Sequence, residues 1–77
     1  MHTIQETLEF ILKSITQDAD SVSVESHVEN DITFLEVHVP AEIIGQIIGK
    51  EGKIIKSIRL ILSLSYPNQK FSLDIKG

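Results

Sequence analysis

The chain has 77 residues, a net charge of −4 and a pI near 5.2, and it contains no cysteine. The lack of cysteine excludes disulfides, thiolate metal sites and cysteine catalysis. The longest apolar stretch is far below the roughly 20 residues that a membrane span needs, and no secretory signal begins the chain. We therefore expect a single cytoplasmic domain over residues 1–77, without a membrane or small-molecule partner. Its thin core would gain from association with a second chain.

The basic residues are concentrated in one part of the chain. Four of the seven lie within a ten-residue window: Lys50, Lys53, Lys56 and Arg59. Glu51 is the one acid in that window, which carries +3, whereas the remaining 67 residues carry −7. A general polyanion-binding surface usually has a pI above about 9. An acidic chain with one basic segment indicates instead a focused anion-binding site.

The first segment, about residues 3–16, has the pattern of an amphipathic helix. Its apolar residues recur at the spacing of one helix face: Ile4, Leu8, Ile11, Leu12 and Ile15. Thr3 and Glu6 have the spacing of a capping box, in which each side chain bonds a free backbone N–H of the first turn.

Two strands are predicted next, because apolar and polar residues alternate on both sides of Asn30-Asp31. A two-residue loop there would pair Val24 with Val37 and Val22 with Val39, which buries both valine rows on one face. The other face would be mostly polar and would carry these side chains: Ser23, Glu25, His27, Phe34, Glu36 and His38.

The second half of the chain predicts two helices and a last strand. Pro40 suits the first turn of a short helix whose apolar side is formed by Ile43, Ile44, Ile47 and Ile48. A longer helix, from about Gly52 to Ser65, has an apolar arc formed by Ile54, Ile55, Ile58, Ile61 and Leu62. Residues 71–75 alternate as a strand. We predict an α+β fold with the element order α-β-β-α-α-β. A crossover through two helices makes the last two strands parallel, so the three-stranded sheet is mixed, and the helices pack on one of its faces.

Residues 49–52, Gly-Lys-Glu-Gly, form a tight turn between these helices, which we call the GxxG loop. Glycine at both ends permits backbone angles closed to other residues and lets a sugar-phosphate backbone approach closely. The helix that begins here directs its free N–H groups toward the loop. The lysines at 50, 53 and 56 add positive charge. Unstacked bases would rest on nearby apolar residues: Ile44, Ile48 and Ile55.

The segment from Ile47 to Ile55 resembles the KH motif, in which a GxxG loop clamps the backbone of about four nucleotides. The order of the elements resembles the type II form of this domain, with its core over about residues 32–76. The chain resembles the KhpA (YlqC-like) family of small bacterial single-KH proteins in several features taken together. These are its length, the N-terminal helix, Val39-Pro40, Gly45 and Ile58-Arg59. The resemblance covers essentially the whole chain.

The resemblance implies a protein that binds single-stranded RNA in the bacterial cytoplasm without catalysis or a cofactor. It also implies RNA chaperone activity, a homodimer or a larger KH-domain partner, and links to cell elongation, cell shape and cell wall biogenesis. Residue by residue, the resemblance implies that the clamp is formed by Gly49, Lys50, Glu51 and Gly52. It also implies that Lys53 and Lys56 contact phosphates. Glu51 would weaken binding unless it turns to solvent or accepts a hydrogen bond from the RNA.

Other interpretations of the same residues stay open. The GxxG loop could be an ordinary helix connection with glycine caps, and Arg59 suits a solvated helix face as well as a phosphate contact. Leu60 and Leu64 lie off the main apolar arc, where a loop could cover them or a partner could bind; we expect a homodimer through this helix. The alternative function is a protein-interaction adaptor with weak or vestigial RNA binding, which the acidic body and Glu51 favour.

Three further classes of site are disfavoured. A Walker A loop does not fit, because Gly45 and Gly49 are separated by three residues and no Ser or Thr follows the lysine. In the preferred register His27 and His38 lie about 13 Å apart, so we expect surface histidines and no metal site. Glu25 would face Glu36 as a mildly unfavourable surface pair, and nothing in the sequence suggests a nucleophile with its base.

Overall fold

The structure, a computed structural model, describes residues 3–76. Its helices are α1 (Ile4–Ile15), α2 (Ala41–Ile48) and α3 (Lys53–Ser65). Its strands are β1 (Ser23–Glu29), β2 (Ile32–His38) and β3 (Lys70–Lys76). Short 3₁₀ turns at Ala19–Ser21 and Lys50–Gly52 precede β1 and α3. The predicted order of elements and the α+β class are confirmed. No helix within residues 3–76 has the length and apolar character to cross a bilayer.

The sheet has β2 at its centre, antiparallel to β1 and parallel to β3. Val24 pairs with Val37, as the alternation predicted. Asn30 and Asp31 both have positive φ, at 52° and 66°. Those angles belong to the two-residue turn whose twist matches that of a hairpin, and Asn and Asp tolerate them better than most residues. The turn therefore determines the register that buries the valines.

Hydrogen bonds and residue types near the helix ends account for where the helices begin and end, and the position of Pro40 differs slightly from the prediction. The Thr3 hydroxyl accepts a hydrogen bond from the Glu6 N–H at 3.1 Å, and the Thr3 N–H donates to Glu6 Oε1 at 3.0 Å, which completes the capping box. Pro40 lies at the N-cap of α2 instead of within its first turn. Tyr66, just after α3, has its hydroxyl 2.6 Å from Thr7 Oγ1, so the end of α3 is joined to the start of α1.

The core lies between the three helices and one face of the sheet. Its largest fully buried side chains come from both layers: Leu8, Leu12, Leu35, Val37, Ile47 and Leu62. On the other face of the sheet, Glu25, His27 and Asp74 are exposed to solvent. All the helices therefore pack on one face, and the opposite face stays open within residues 3–76.

The apolar arc predicted for α3 is wrong in part. Ile55, Ile58 and Leu62 are buried, but Ile54 and Ile61 are 39% and 45% exposed. Each residue of a helix is rotated by about 100° from the one before it, so Ile54 and Ile61 lie on the flank of the buried row. The helix therefore carries more apolar surface than the core of this domain covers.

Candidate nucleic-acid interface

Three residues with positive φ shape the GxxG loop. Gly49 ends α2 with φ 75° and ψ 178°, a region that is essentially open only to glycine. Glu51 follows at φ 57° and ψ 23°, and Gly52 at φ 73° and ψ 18°, both left-handed. A right-handed helix cannot continue through these angles. The loop therefore separates α2 from α3, and α3 begins after Gly52 without a side-chain cap.

The two glycines of the loop meet different surroundings. A Cβ atom at Gly49 would lie 2.6 Å from Cγ1 of Ile54, well inside van der Waals contact. A Cβ atom at Gly52 would come no closer than 3.8 Å to a neighbouring atom, Cε of Lys56. Gly49 is thus required by space and by backbone angle, and Gly52 by backbone angle alone. The contact of Ile54 with the loop was not predicted, because the apolar periodicity of α3 assigned that residue to the core.

Lys50, Lys53 and Lys56 surround the loop with exposed ammonium groups. Lys53 is the first residue of α3, and the side chain of Lys56 passes close to Gly52. Among residues 3–76, none of the three forms an ion pair with a carboxylate. Three unpaired cations beside the positive end of a helix dipole make a site that attracts phosphate.

The predicted apolar surface next to the loop is only partly accessible. Ile44 and Ile48 are partly buried at the edge of the core, so each keeps some surface. Ile55 is only 9% exposed and packs within the core. Ile44 and Ile48 are therefore the members of this set that can contact a ligand, and Ile55 supports them from within.

Arg59 contacts a different part of the fold. Its Nη2 atom lies 3.4 Å from the carbonyl oxygen of Leu73 in β3, at the long end of the hydrogen-bonding range. The guanidinium group is directed toward the sheet, and its contact is with the protein backbone. Neither of the two interpretations that the sequence left open for Arg59 included this contact.

Substitution of Glu51 should separate the effect of backbone strain from that of charge. Because Asn accepts left-handed angles more readily than Glu, Glu51→Asn should raise the free energy of unfolding by about 0.5–1 kcal/mol. Glu51→Gln, which removes the same charge and keeps a longer side chain, should change it by less than about 0.3 kcal/mol. Urea denaturation measures both. Equal stabilities for the two variants would contradict a strained Glu51.

Comparisons with known proteins assign this arrangement to a family. The family model described as "KhpA/KhpB, KH domain" matches residues 5–76. The chain belongs to the KhpA/KhpB KH-domain family. The predicted resemblance is therefore confirmed, and the family is a non-enzymatic one, in agreement with the prediction that the chain is not an enzyme.

Curated relatives from distant bacteria support the assignment. Each is named RNA-binding protein KhpA. The one from Thermotoga maritima is 38% identical over 60 residues, which cover 78% of this chain and 80% of the relative. The one from Borreliella burgdorferi is 33% identical, covering 91% and 88%. The one from Clostridium perfringens is 34% identical, covering 94% and 99%.

A solved structure shows that the fold is shared more widely. The crystal structure of Era in complex with MgGDPNP and nucleotides 1506-1542 of 16S ribosomal RNA matches with a TM-score of 0.62 and 18% identity. The match covers 95% of this chain and 30% of the Era chain. At that identity the likeness concerns the fold alone. This KhpA/KhpB-family domain therefore shares its architecture with one part of a larger protein.

Proposed function

We propose that this domain binds single-stranded RNA at the GxxG loop and catalyses no reaction. The observation that carries the proposal is the convergence of three unpaired lysines on a glycine-bounded loop at the N-terminus of α3. Phosphates bind to the ammonium and backbone N–H groups, and unstacked bases lie on the exposed parts of Ile44 and Ile48. The shared name of the curated relatives supports the same function.

The charge of the site sets the strength of this binding. With three lysines on phosphates, the logarithm of the association constant should fall with the logarithm of salt concentration with a slope of about −2. Glu51 is exposed in the middle of the loop and repels phosphate. Affinity is therefore modest, and replacing Glu51 by Gln should raise it.

An NMR titration of the labelled chain with pools of short single-stranded RNA tests the proposal. Amide shifts should be confined to residues 44–59. Because Lys50→Asp turns an attraction into a repulsion next to the phosphate, it should weaken binding at least about tenfold. Lys70→Asp makes the same charge change at the start of β3, away from the loop, and should weaken it less than about twofold.

The amide spectrum of each variant without RNA serves as the check on its fold. Equal losses in the Lys50 and Lys70 variants would contradict binding at the GxxG loop. Absence of shifts in the wild-type chain at low salt would refute RNA binding itself. In that case the remaining candidate would be the protein-interaction adaptor, which the exposed surface of α3 favours.

We also propose that α3 forms the interface of a homodimer or of a pair with a larger KH-domain protein. Four apolar side chains on α3 are at least 39% exposed: Ile54, Leu60, Ile61 and Leu64. Ile54, Ile61 and Leu64 are seven and three positions apart, a spacing that places all three on one face of the helix, as in a helix–helix seam. The resemblance extends this proposal to an RNA chaperone that acts with its partner in control of cell elongation.

Light scattering of two matched variants tests the homodimer. Leu64 and Phe10 are both 72% exposed, on α3 and α1 respectively. Leu64→Glu places a charge in the interface and should shift the mass to that of a monomer, with the dissociation constant raised at least about tenfold. Phe10→Glu should leave the dimer unchanged. A monomer mass for the wild-type chain at high concentration would contradict the homodimer.

A further inference from the structure

The open face of the sheet carries a row of three carboxylates. Glu25, Glu36 and Asp74 are paired in register, one on each strand, so their side chains lie side by side across the sheet. Neighbouring strands are about 4.8 Å apart, so the row spans about 10 Å. Like charges opposite one another destabilise a sheet unless a cation lies between them. The Glu25–Glu36 pair was predicted from the sequence, but Asp74 was not, because its position depends on the register of β3.

The chain places one of its own cations in this row. Lys76 Nζ lies 3.2 Å from Glu36 Oε2 and 3.9 Å from Asp74 Oδ2. His38 Nε2 lies 3.9 Å from Glu25 Oε1 and has no hydrogen-bond partner among residues 3–76. Apart from His38, the three carboxylates and the one ammonium group leave the row with a formal charge of −2. The row therefore accommodates a cation and is only partly neutralised.

An aromatic pair adjoins the carboxylates. The rings of His27 and Phe34 are stacked, with centroids 5.1 Å apart and planes inclined by 14°. Together with Glu36, Ser72 and Asp74 they line a shallow cleft of about 330 Å³. A guanidinium group can stack on an aromatic ring while its N–H groups donate to carboxylates, and an ammonium group can do only the second as a point charge. The cleft therefore has the chemistry of an arginine site.

We propose that this cleft binds an arginine side chain from a basic segment of a partner protein. The charge of the surface selects the partner, because the carboxylate row attracts a cationic peptide and repels the phosphates of RNA. The lysine cluster of the GxxG loop belongs to the helical layer, whereas the cleft is on the opposite, uncovered face of the sheet. One domain can thus hold RNA at the loop and a basic protein segment on the sheet, and the second interaction does not depend on the first.

A peptide titration tests the arginine site directly. The probe is acetyl-Gly-Arg-Gly-Arg-Gly-amide, and its control carries citrulline, which has the shape of arginine without the charge. The arginine peptide should shift amides of residues 25–27, 34–36 and 72–74 in the labelled 77-residue chain, with a dissociation constant on the order of 1 mM. The citrulline peptide should bind at least about fivefold more weakly.

Variants of the cleft are expected to change the affinity for the arginine peptide in opposite directions. The double variant Glu36→Gln, Asp74→Asn should weaken peptide binding at least about fivefold, and Phe34→Leu about twofold. Lys76→Gln removes the internal competitor and should strengthen binding about threefold. Glu9→Gln removes one carboxylate from α1, outside the cleft, and should have no effect on peptide binding. A gain from Lys76→Gln is not expected of a residue that only stabilises the sheet.

Three results of the peptide titrations would overturn the proposal. They are the absence of sheet-face shifts with the arginine peptide at low salt, equal binding of the citrulline peptide, and unchanged affinity in the Lys76→Gln variant. Shifts of the same amides by the RNA pools would also overturn it, since they would assign this face to nucleic acid. Failure of RNA binding at residues 44–59 would leave the arginine site unaffected, so the two proposals are separable in one set of spectra.

Discussion

Gly49→Ala is expected to lower the free energy of unfolding by about 3 kcal/mol. Two causes contribute comparable parts: the backbone angles at this position suit only glycine, and the new Cβ atom would be too close to its neighbours. The new methyl group would lie 2.6 Å from Cγ1 of Ile54, so either α3 or that side chain must move. For a domain of this size the melting temperature should fall by about 15 °C. The loop should also lose the geometry that brings Lys50 to a phosphate, and binding of RNA pools should fall below detection.

The other glycines of this region provide matched controls. Gly52→Ala meets no close atom and should cost only the left-handed penalty of about 1 kcal/mol. Gly45→Ala, in α2, has nothing within 4 Å and should stabilise the domain by about 0.5–1 kcal/mol. Ile54→Ala combined with Gly49→Ala should recover part of the loss, since it removes the clashing atoms. Equal melting temperatures for Gly49→Ala and Gly52→Ala would contradict the tight packing of Ile54 on Gly49.

Leu8→Ala is expected to cost about 3 kcal/mol, because it removes a fully buried side chain and leaves a cavity. Small domains have total stabilities of only about 0.05–0.15 kcal/mol per residue. For 77 residues that is about 4–12 kcal/mol, so a single cavity in α1 removes a large fraction of it. Unfolded chain should be measurable near 37 °C, and urea denaturation would quantify the loss.

Phe10→Ala, two residues along the same helix, is the control for this prediction. Phe10 is 72% exposed and contributes little to the core, so its loss should change the free energy of unfolding by less than about 0.5 kcal/mol. Comparable destabilisation by the two variants would mean that α1 packs differently from the arrangement described above. A large loss for Leu8→Ala and a small one for Phe10→Ala would confirm that α1 contributes to the common core of the domain.

Local patterns predicted most of the fold. The capping box at Thr3, the turn at Asn30-Asp31 and the glycines at 49 and 52 each act within a few residues, so their structural meaning depends little on the rest of the chain. The register of β1 against β2 followed from the turn and from the alternation of valines, because a slip by one residue would expose every buried side chain.

Features that depend on contacts between distant segments were not predicted. The flank position of Ile54 and Ile61 depends on how far the sheet extends beneath α3, and the contact of Arg59 depends on where β3 runs. Ile55 was predicted both on the apolar arc of α3 and among the residues beneath RNA bases, and the packing of α3 on the sheet decides that it is buried. Apolar periodicity identifies a helix face but does not say how wide a strip of it the rest of the domain covers.

The amino-acid sequence by itself determined the order of elements, the hairpin register and the GxxG loop with its lysines, because short-range sterics and periodicity control them. The tertiary structure alone decided which apolar residues stay exposed on α3 and which acidic residues meet on the open sheet face. The parallel pairing of β2 with β3 brings Asp74 beside Glu36, 38 positions earlier in the chain. No local rule sets that register, since it depends on how α2 and α3 pack across the sheet between them.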